Sequence, residues 1–239
     1  MANYGSNSVA FFIINGYDVT GVSTTLSDVT TASLEETTGL GDAWQEHTST
    51  GVRRAELSAE GFYEDGTSSI DAALSGSQQT SKIVSYAYAG GALGTEMTSH
   101  AGVFAGSYSR GATRNELTKA NGTYTVSGTK DEGVVVFPLA SVTATGTGSA
   151  TNYGSSTASG GAGTLQVTTV TGTSPTADVK IQHSADNITY ADLITFTQAT
   201  GRTAQRTEVS GTVNKYLKIA YTIGGTSPDF TMVVGFARG

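Results

Sequence analysis

The stretch Tyr216-Leu-Lys-Ile-Ala-Tyr-Thr-Ile223 sets Leu217, Ile219, Tyr221 and Ile223 against Tyr216, Lys218, Ala220 and Thr222. A period of two sends these sets to opposite faces of a strand. Phe230, Met232, Val234 and Phe236 continue the pattern, and Val179 and Ile181 oppose Asp178, Lys180 and Gln182. Ala55, Leu57 and Ala59 likewise oppose Arg54, Glu56, Ser58 and Glu60. The same reasoning predicts strands over 9–14, 82–88, 122–127, 134–137 and 165–170. Helix signals are few. Ser69 is placed to cap a helix over 70–74 with Asp71 near its N-terminus, and a second short helix is expected over 92–100. Strands and turns at this density predict an all-β sandwich or barrel.

Composition agrees. Hydrophobic residues make up 37% of the 239 residues, enough for a core, while charged residues reach only 14%. The absence of cysteine excludes disulfides, thiolate metal sites and a cysteine nucleophile. The start, Met-Ala-Asn-Tyr-Gly-Ser, lacks the basic and apolar regions of a signal peptide, and no apolar run is long enough to span a membrane. The expectation is a protein that folds in the cytoplasm of the cell that makes it. The stretch 145–163 has no charge and one large side chain, Tyr153. It reads as a Gly/Ser/Thr-rich linker or long loop between a β-domain over 1–144 and a C-terminal β-module over 164–239.

Catalytic signatures are missing. His47, His100 and His183 are scattered, and neither an HExxH nor a GxSxG string occurs. His183-Ser184-Ala185-Asp186 brings together three triad residue types, but neighbours at a strand end point to different sides, so the string reads as a strand running into a turn. Asp131 and Glu132 read as a solvated turn before a strand. The expectation is a non-enzymatic protein with no cofactor and no metal.

Charge is unevenly placed. Residues 1–80 hold 11 acidic and 2 basic residues, whereas the whole chain has a net charge of −7. The lone tryptophan, Trp44, lies within this acidic part, between Asp42 and Glu46. The density of charge around a single large aromatic makes Asp42, Trp44, Glu46, Arg53, Arg54, Glu56 and Glu60 candidates for a subunit contact.

Two runs carry a resemblance: Leu34-Glu-Glu-Thr-Thr-Gly-Leu-Gly-Asp-Ala-Trp-Gln-Glu-His47, and Thr50-Gly-Val-Arg-Arg-Ala-Glu-Leu-Ser-Ala-Glu-Gly-Phe-Tyr-Glu-Asp65. They resemble the N-terminal part of the major tail tube proteins of long-tailed, siphovirus-type bacteriophages. Val179-Lys-Ile-Gln-His-Ser-Ala-Asp-Asn187, Gly211-Thr-Val-Asn-Lys-Tyr-Leu-Lys218 and Val234-Gly-Phe-Ala-Arg238 are similar to phage tail sequences as well. The resemblance implies a β-sandwich or barrel of the tail-tube type with one or two short helices. It implies self-assembly into stacked, usually hexameric rings that form a hollow tube within the virion. The implied partners are further copies of the chain, a tape-measure protein, the tail terminator and the distal tail or baseplate proteins. DNA passes through such a lumen without specific binding. A wall that does not brake a polyanion is acidic, which makes Asp18, Asp28, Glu35, Glu36, Glu64 and Asp65 candidate lumen residues. The alternative is a virion-surface or secreted β-sandwich that binds carbohydrate or decorates a capsid, with Tyr190, Tyr216 and Tyr221 as its aromatic surface.

Overall fold

The computed structural model describes residues 9–40, 43–64, 70–75 and 80–239. Its elements in chain order are β1 (Phe11–Ile14), β2 (Tyr17–Asp18), β3 (Ser23–Glu36), β4 (His47–Phe62), α1 (Ile70–Ser75), β5 (Lys82–Ala87), β6 (Glu96–Gly111), β7 (Lys119–Val126), β8 (Lys130–Val142), β9 (Gly146–Thr147), β10 (Thr151–Asn152), β11 (Gly161–Ser184), β12 (Ala191–Thr195), β13 (Thr203–Val209) and β14 (Tyr216–Arg238). The fold is all-β and its pairings are antiparallel. One path of the sheet runs β12-β11-β14-β8-β6-β5-β1-β2, and β7, β4 and β3 branch from β6 in that order.

Alternation assigns successive residues to different cores. Phe12, Ile14, Val84 and Tyr86 face Leu57, Ala59, Ala120 and Tyr124, with Ala73 of α1 among them. Phe11, Ile13 and Ala87 face the other way, onto Met97, Val135 and Val233. β1 and β5 are thus buried on both sides, so β1 reads as an uninterrupted apolar run, Phe-Phe-Ile-Ile. A buried polar seam crosses the second of these cores. Gln166 donates from Nε2 to Ser85 Oγ (3.0 Å) and Ile83 O (3.2 Å), accepts the Gly16 N–H (2.9 Å), and Ser85 meets Ser99 at 3.0 Å. These bonds satisfy polar groups that burial would otherwise penalise and tie β11 to β5 and to the β1–β2 turn.

The third core belongs to a folded ribbon. β11 and β14 pair from Gly161↔Arg238 to Ser184↔Tyr216, with register shifts between Val167 and Thr176. Leu165 and Val167 of the first half share one core with Val179 and Ile181 of the second, so the ribbon doubles back on itself. The corner is built by one string used twice, Gly-Thr-Ser-Pro at 172–175 and again at 225–228. Thr173 pairs with Thr226. Gly172 and Gly225 have φ of 111° and 109°, and Ser174 and Ser227 have φ of 49° and 48°. Each glycine lies against the other strand's backbone: a Cβ at Gly172 would stand 2.7 Å from Ser227 O, and one at Gly225 would stand 2.7 Å from Ser174 O. The corner has local twofold symmetry. Behind each copy the core residues correspond, Ala177, Val179 and Ile181 to Phe230, Met232 and Val234.

Several sequence expectations change. Residues 92–100 are not a helix: Ala92–Thr95 form a turn and β6 begins at Glu96. Met97 and Ser99 face one core while Thr98 and His100 face the other, and pairing to β5 and β8 replaces the helical bonds. The expected helix over 70–74 is present as α1, but its expected cap Ser69 lies outside the described residues. Asp131 is no turn residue. It lies on β8, where Arg206 of β13 grips both its oxygens (2.5 and 2.9 Å). The stretch 145–163 carries β9 and β10, each paired to β14, and ends inside β11. Its glycines allow close approach: Gly146 lies against Tyr221, and Gly148 against Ile219 and Phe137.

Candidate functional site

β3 and β4 form a two-stranded arm. They pair from Ser23↔Gly61 out to Glu36↔His47. On its other side β4 pairs with β7, but only from Phe62↔Lys119 to Ala55↔Val126. Beyond Ala55 no third strand pairs with the ribbon among the described residues, and residues 47–54 and 29–36 are exposed. At roughly 3.3 Å per residue this free part extends about 25 Å. Its tip is tied by the Thr37 N–H to Glu46 O (2.9 Å) and the Glu46 N–H to Thr38 Oγ1 (3.0 Å). Alternation explains where the body ends. Ala55, Leu57 and Ala59 point into a core, whereas the run from His47 to Arg54 has no apolar alternation and therefore no face to bury.

The arm exposes apolar side chains as well as backbone edges. Trp44 is 85% exposed, and Val29, Leu34 and Val52 are all more than half exposed. A free two-stranded ribbon is marginally stable by itself, and unpaired edges are templates for further pairing.

The candidate residues distribute unevenly. Trp44, Glu46, Arg53 and Arg54 lie on the arm, together with Glu35 and Glu36, which pair opposite Thr48 and His47, whereas Glu56 pairs with Thr125 of β7 on the body. One ribbon therefore gathers residues expected at a subunit contact and residues expected in a lumen. Arg54 donates to Glu56 on its own strand. Glu60 lies on the body and is neutralised by Lys119 of β7 at 2.6 Å. Asp18 is exposed at β2, where it accepts the Thr20 hydroxyl at 2.5 Å, and Glu64 is exposed beyond β4. Asp42 and Asp65 lie outside the described residues.

Asp28 departs from its expected place. Its side chain is only 7% exposed and points into the body, not outward. The Tyr86 hydroxyl donates to Oδ2, and His100 Nε2 and Lys130 Nζ each lie 3.1 Å from the same oxygen. Lys130 also reaches Glu132 at 3.0 Å and Thr30 Oγ1 at 3.4 Å. His100 is fully buried. Asp28 Oδ1 and His100 Nδ1 are buried with no hydrogen-bond partner among the described residues. Burial raises the Asp28 carboxyl, but bonds from Tyr86, Lys130 and His100 outweigh it, and its pKa lies below the ordinary carboxylate value. Burial holds His100 below the ordinary imidazole value, against the pull of Asp28. Desolvation and the carboxylate both push the Tyr86 phenol up. Sequence reading had no signal for this cluster, because its members are 14 to 102 residues apart on four strands.

Elsewhere the chemistry is local. His183-Ser184-Ala185-Asp186 ends β11 in a turn: Asp186 accepts the N–H groups of Ile188 and Thr189, both at 2.9 Å, which hold its carboxyl down to about 2. Tyr190 and Tyr216 are each covered by a cation of the same chain. Lys218 Nζ lies 3.8 Å from the Tyr190 ring centre, and Lys215 Nζ 5.0 Å from that of Tyr216. Among the described residues no helix is long and apolar enough to cross a membrane.

No protein-family model matches the chain, and a search of curated proteins gives no match. Solved structures do. The chain is similar to one in the tail of an empty gene transfer agent particle with C6 symmetry, at 15% identity, covering 54% of this chain and 97% of that one, with a TM-score of 0.42. It is similar to a chain in the virion of a native gene transfer agent particle, at 14% identity, covering 55% and 98%, with a TM-score of 0.44. It is also similar to the Dit protein of phage SPP1, a hub of the adsorption apparatus, at 11% identity, covering 96% and 98%, with a TM-score of 0.35.

Proposed function

We propose that this chain is a non-enzymatic structural subunit of a long-tailed phage tail, and that it assembles into stacked, hexameric rings forming a hollow tube. The observation that carries the reading joins sequence to structure. The two runs that resemble tail tube proteins meet on one exposed arm: the first begins with the last three residues of β3 and ends at His47, the first residue of β4, and the second runs back along β4 from Thr50. An arm with free edges and exposed apolar side chains is built to be covered by another chain. In this reading the covering chain is the next subunit, and Trp44, Arg53 and Arg54 lie at the contact. Glu35 and Glu36 bring negative charge to the assembled wall, which suits the passage of DNA. The tape-measure, terminator and distal tail proteins are the proposed partners inside and at the ends of the tube, and the virion is the proposed location.

Negative-stain electron microscopy of the purified protein tests the reading. Hollow rings or tubes with a uniform bore are the expected result. A protein that stays monomeric at high concentration and binds a glycan array would instead establish the surface binding module.

A further inference from the structure

Asp28 stands where the arm leaves the body. It pairs with Leu57, just inside Ala55, the last residue of β4 to pair with β7. Four strands meet on its carboxylate: β3 supplies it, β5 brings the Tyr86 hydroxyl, β6 the His100 ring and β8 the Lys130 ammonium. Tyr88, Asp131 and Glu132 complete the charged and titratable surroundings. Asp131 is held by Arg206, and Glu132 by Lys130.

We propose that Asp28 is a latch that sets the direction of the arm, and that acid releases it by protonating the Asp28–His100 pair. At neutral pH the carboxylate holds β3 against β5, β6 and β8, so the free ribbon leaves the body at one angle. The latch has no place for a second proton on the imidazole. His100 Nε2 faces Asp28, and a proton on Nδ1 would be a buried donor without an acceptor, beside the charge of Lys130. Water reaches the ring only when the arm loosens. The loosened state therefore binds protons more tightly than the latched one, and falling pH shifts the population towards it. The shift begins as pH falls through about 6.5, the ordinary imidazole value, and deepens towards about 3.9, where a freed Asp28 also takes a proton. This device goes beyond the assembly reading and holds for an isolated subunit.

The test measures the arm angle. The chain has no cysteine, so V52C on the arm and I188C on the body accept two spin labels cleanly, and both positions are exposed. Labelled full-length protein is diluted in unlabelled protein, so that distances between subunits do not contribute. Pulsed electron spin resonance is expected to give one narrow distance peak at about pH 7.5 and a broad distribution at about pH 5.5. D28N is expected to lose the narrow peak at both values. H100Q, which keeps a donor towards Asp28 but cannot charge, is expected to keep it at both. A narrow, unshifted peak in folded D28N overturns the latch, and an undiminished acid response in H100Q overturns the role of acid. Should D28N fail to fold, Y86F removes one donor to the carboxylate, and a peak as narrow as in the parent protein would then overturn the latch.

Discussion

Gly172 and Gly225 show how much a single hydrogen atom decides. Each sits at a φ that L side chains rarely adopt, and each faces a carbonyl oxygen of the opposite strand at a distance no Cβ tolerates. Gly172→Ala and Gly225→Ala are each expected to cost about 2–3 kcal/mol in urea unfolding, and by symmetry the two losses are of equal size. Gly211, at a positive φ but with open space around it, serves as the control. Only the conformational penalty applies there, so Gly211→Ala is expected to cost about 1 kcal/mol. His100 sets a second expectation at this scale. Its pKa is lower folded than unfolded, so the unfolded chain binds more protons. Stability is therefore full above about pH 6.5 and declines as pH falls below it. Asp28 adds a further loss in the carboxylate range, because its pKa is also lowered on folding. The urea midpoint is expected to drop between pH 7.5 and pH 5.5, and H100Q to drop less than its parent.

At the scale of elements, the arm and the stretch 145–163 exchange the roles that composition suggests. The Gly/Ser/Thr-rich stretch is held to β14 by short ladders, and Tyr153 packs on Phe236 and donates to its carbonyl at 2.9 Å. The charged, strand-like arm is the part that stands free. Limited proteolysis is thus expected to cut first around 37–46 and later, if at all, within 145–163, as mass spectrometry of early fragments would show. Trp44→Ala is expected to leave subunit stability within about 0.5 kcal/mol, since the ring buries little in the subunit. In the same variant, tubes are expected to be short or absent in micrographs. Strands and their faces were legible wherever one side is apolar, as at 217–223 and 230–236. The segment 92–100 misled because Met97 and His100, three apart, also fit a helix, and only the partners β5 and β8 decide between the two periods. The doubled Gly-Thr-Ser-Pro string was present to be read. It has no fixed-period repeat around it, and its meaning depends on Thr173 finding Thr226 across the ribbon.

For the whole molecule, the proposed tube joins assembly to the passage of DNA through carboxylates placed on one arm. Glu35→Lys with Glu36→Lys is expected to leave tubes intact and to slow DNA ejection, most strongly at low salt, where screening is weakest. Ejection rates equal to the parent's at low salt would remove these two residues from the wall. The Asp28 cluster was beyond sequence reading for the opposite reason. It is assembled by the whole sheet, and neither spacing nor composition encodes a meeting of β3, β5, β6 and β8.

β14 lies between β8 and β11, yet it leaves the ribosome after both of them. A nascent chain reaches β13 with the inner edges of β8 and β11 both waiting for a neighbour that does not yet exist. The arm has by then been outside for most of the synthesis. A product that stalls before β14 thus carries a finished, exposed ribbon on an open sheet, a combination prone to misassociate. Closure by a strand whose partners lie up to 102 residues back in sequence, as Val134 does from Phe236, is also slow relative to hairpin formation. The order of synthesis makes the joining of β8 to β11 a late, single event, and gives a chaperone its period of greatest use between the emergence of β8 and the docking of β14.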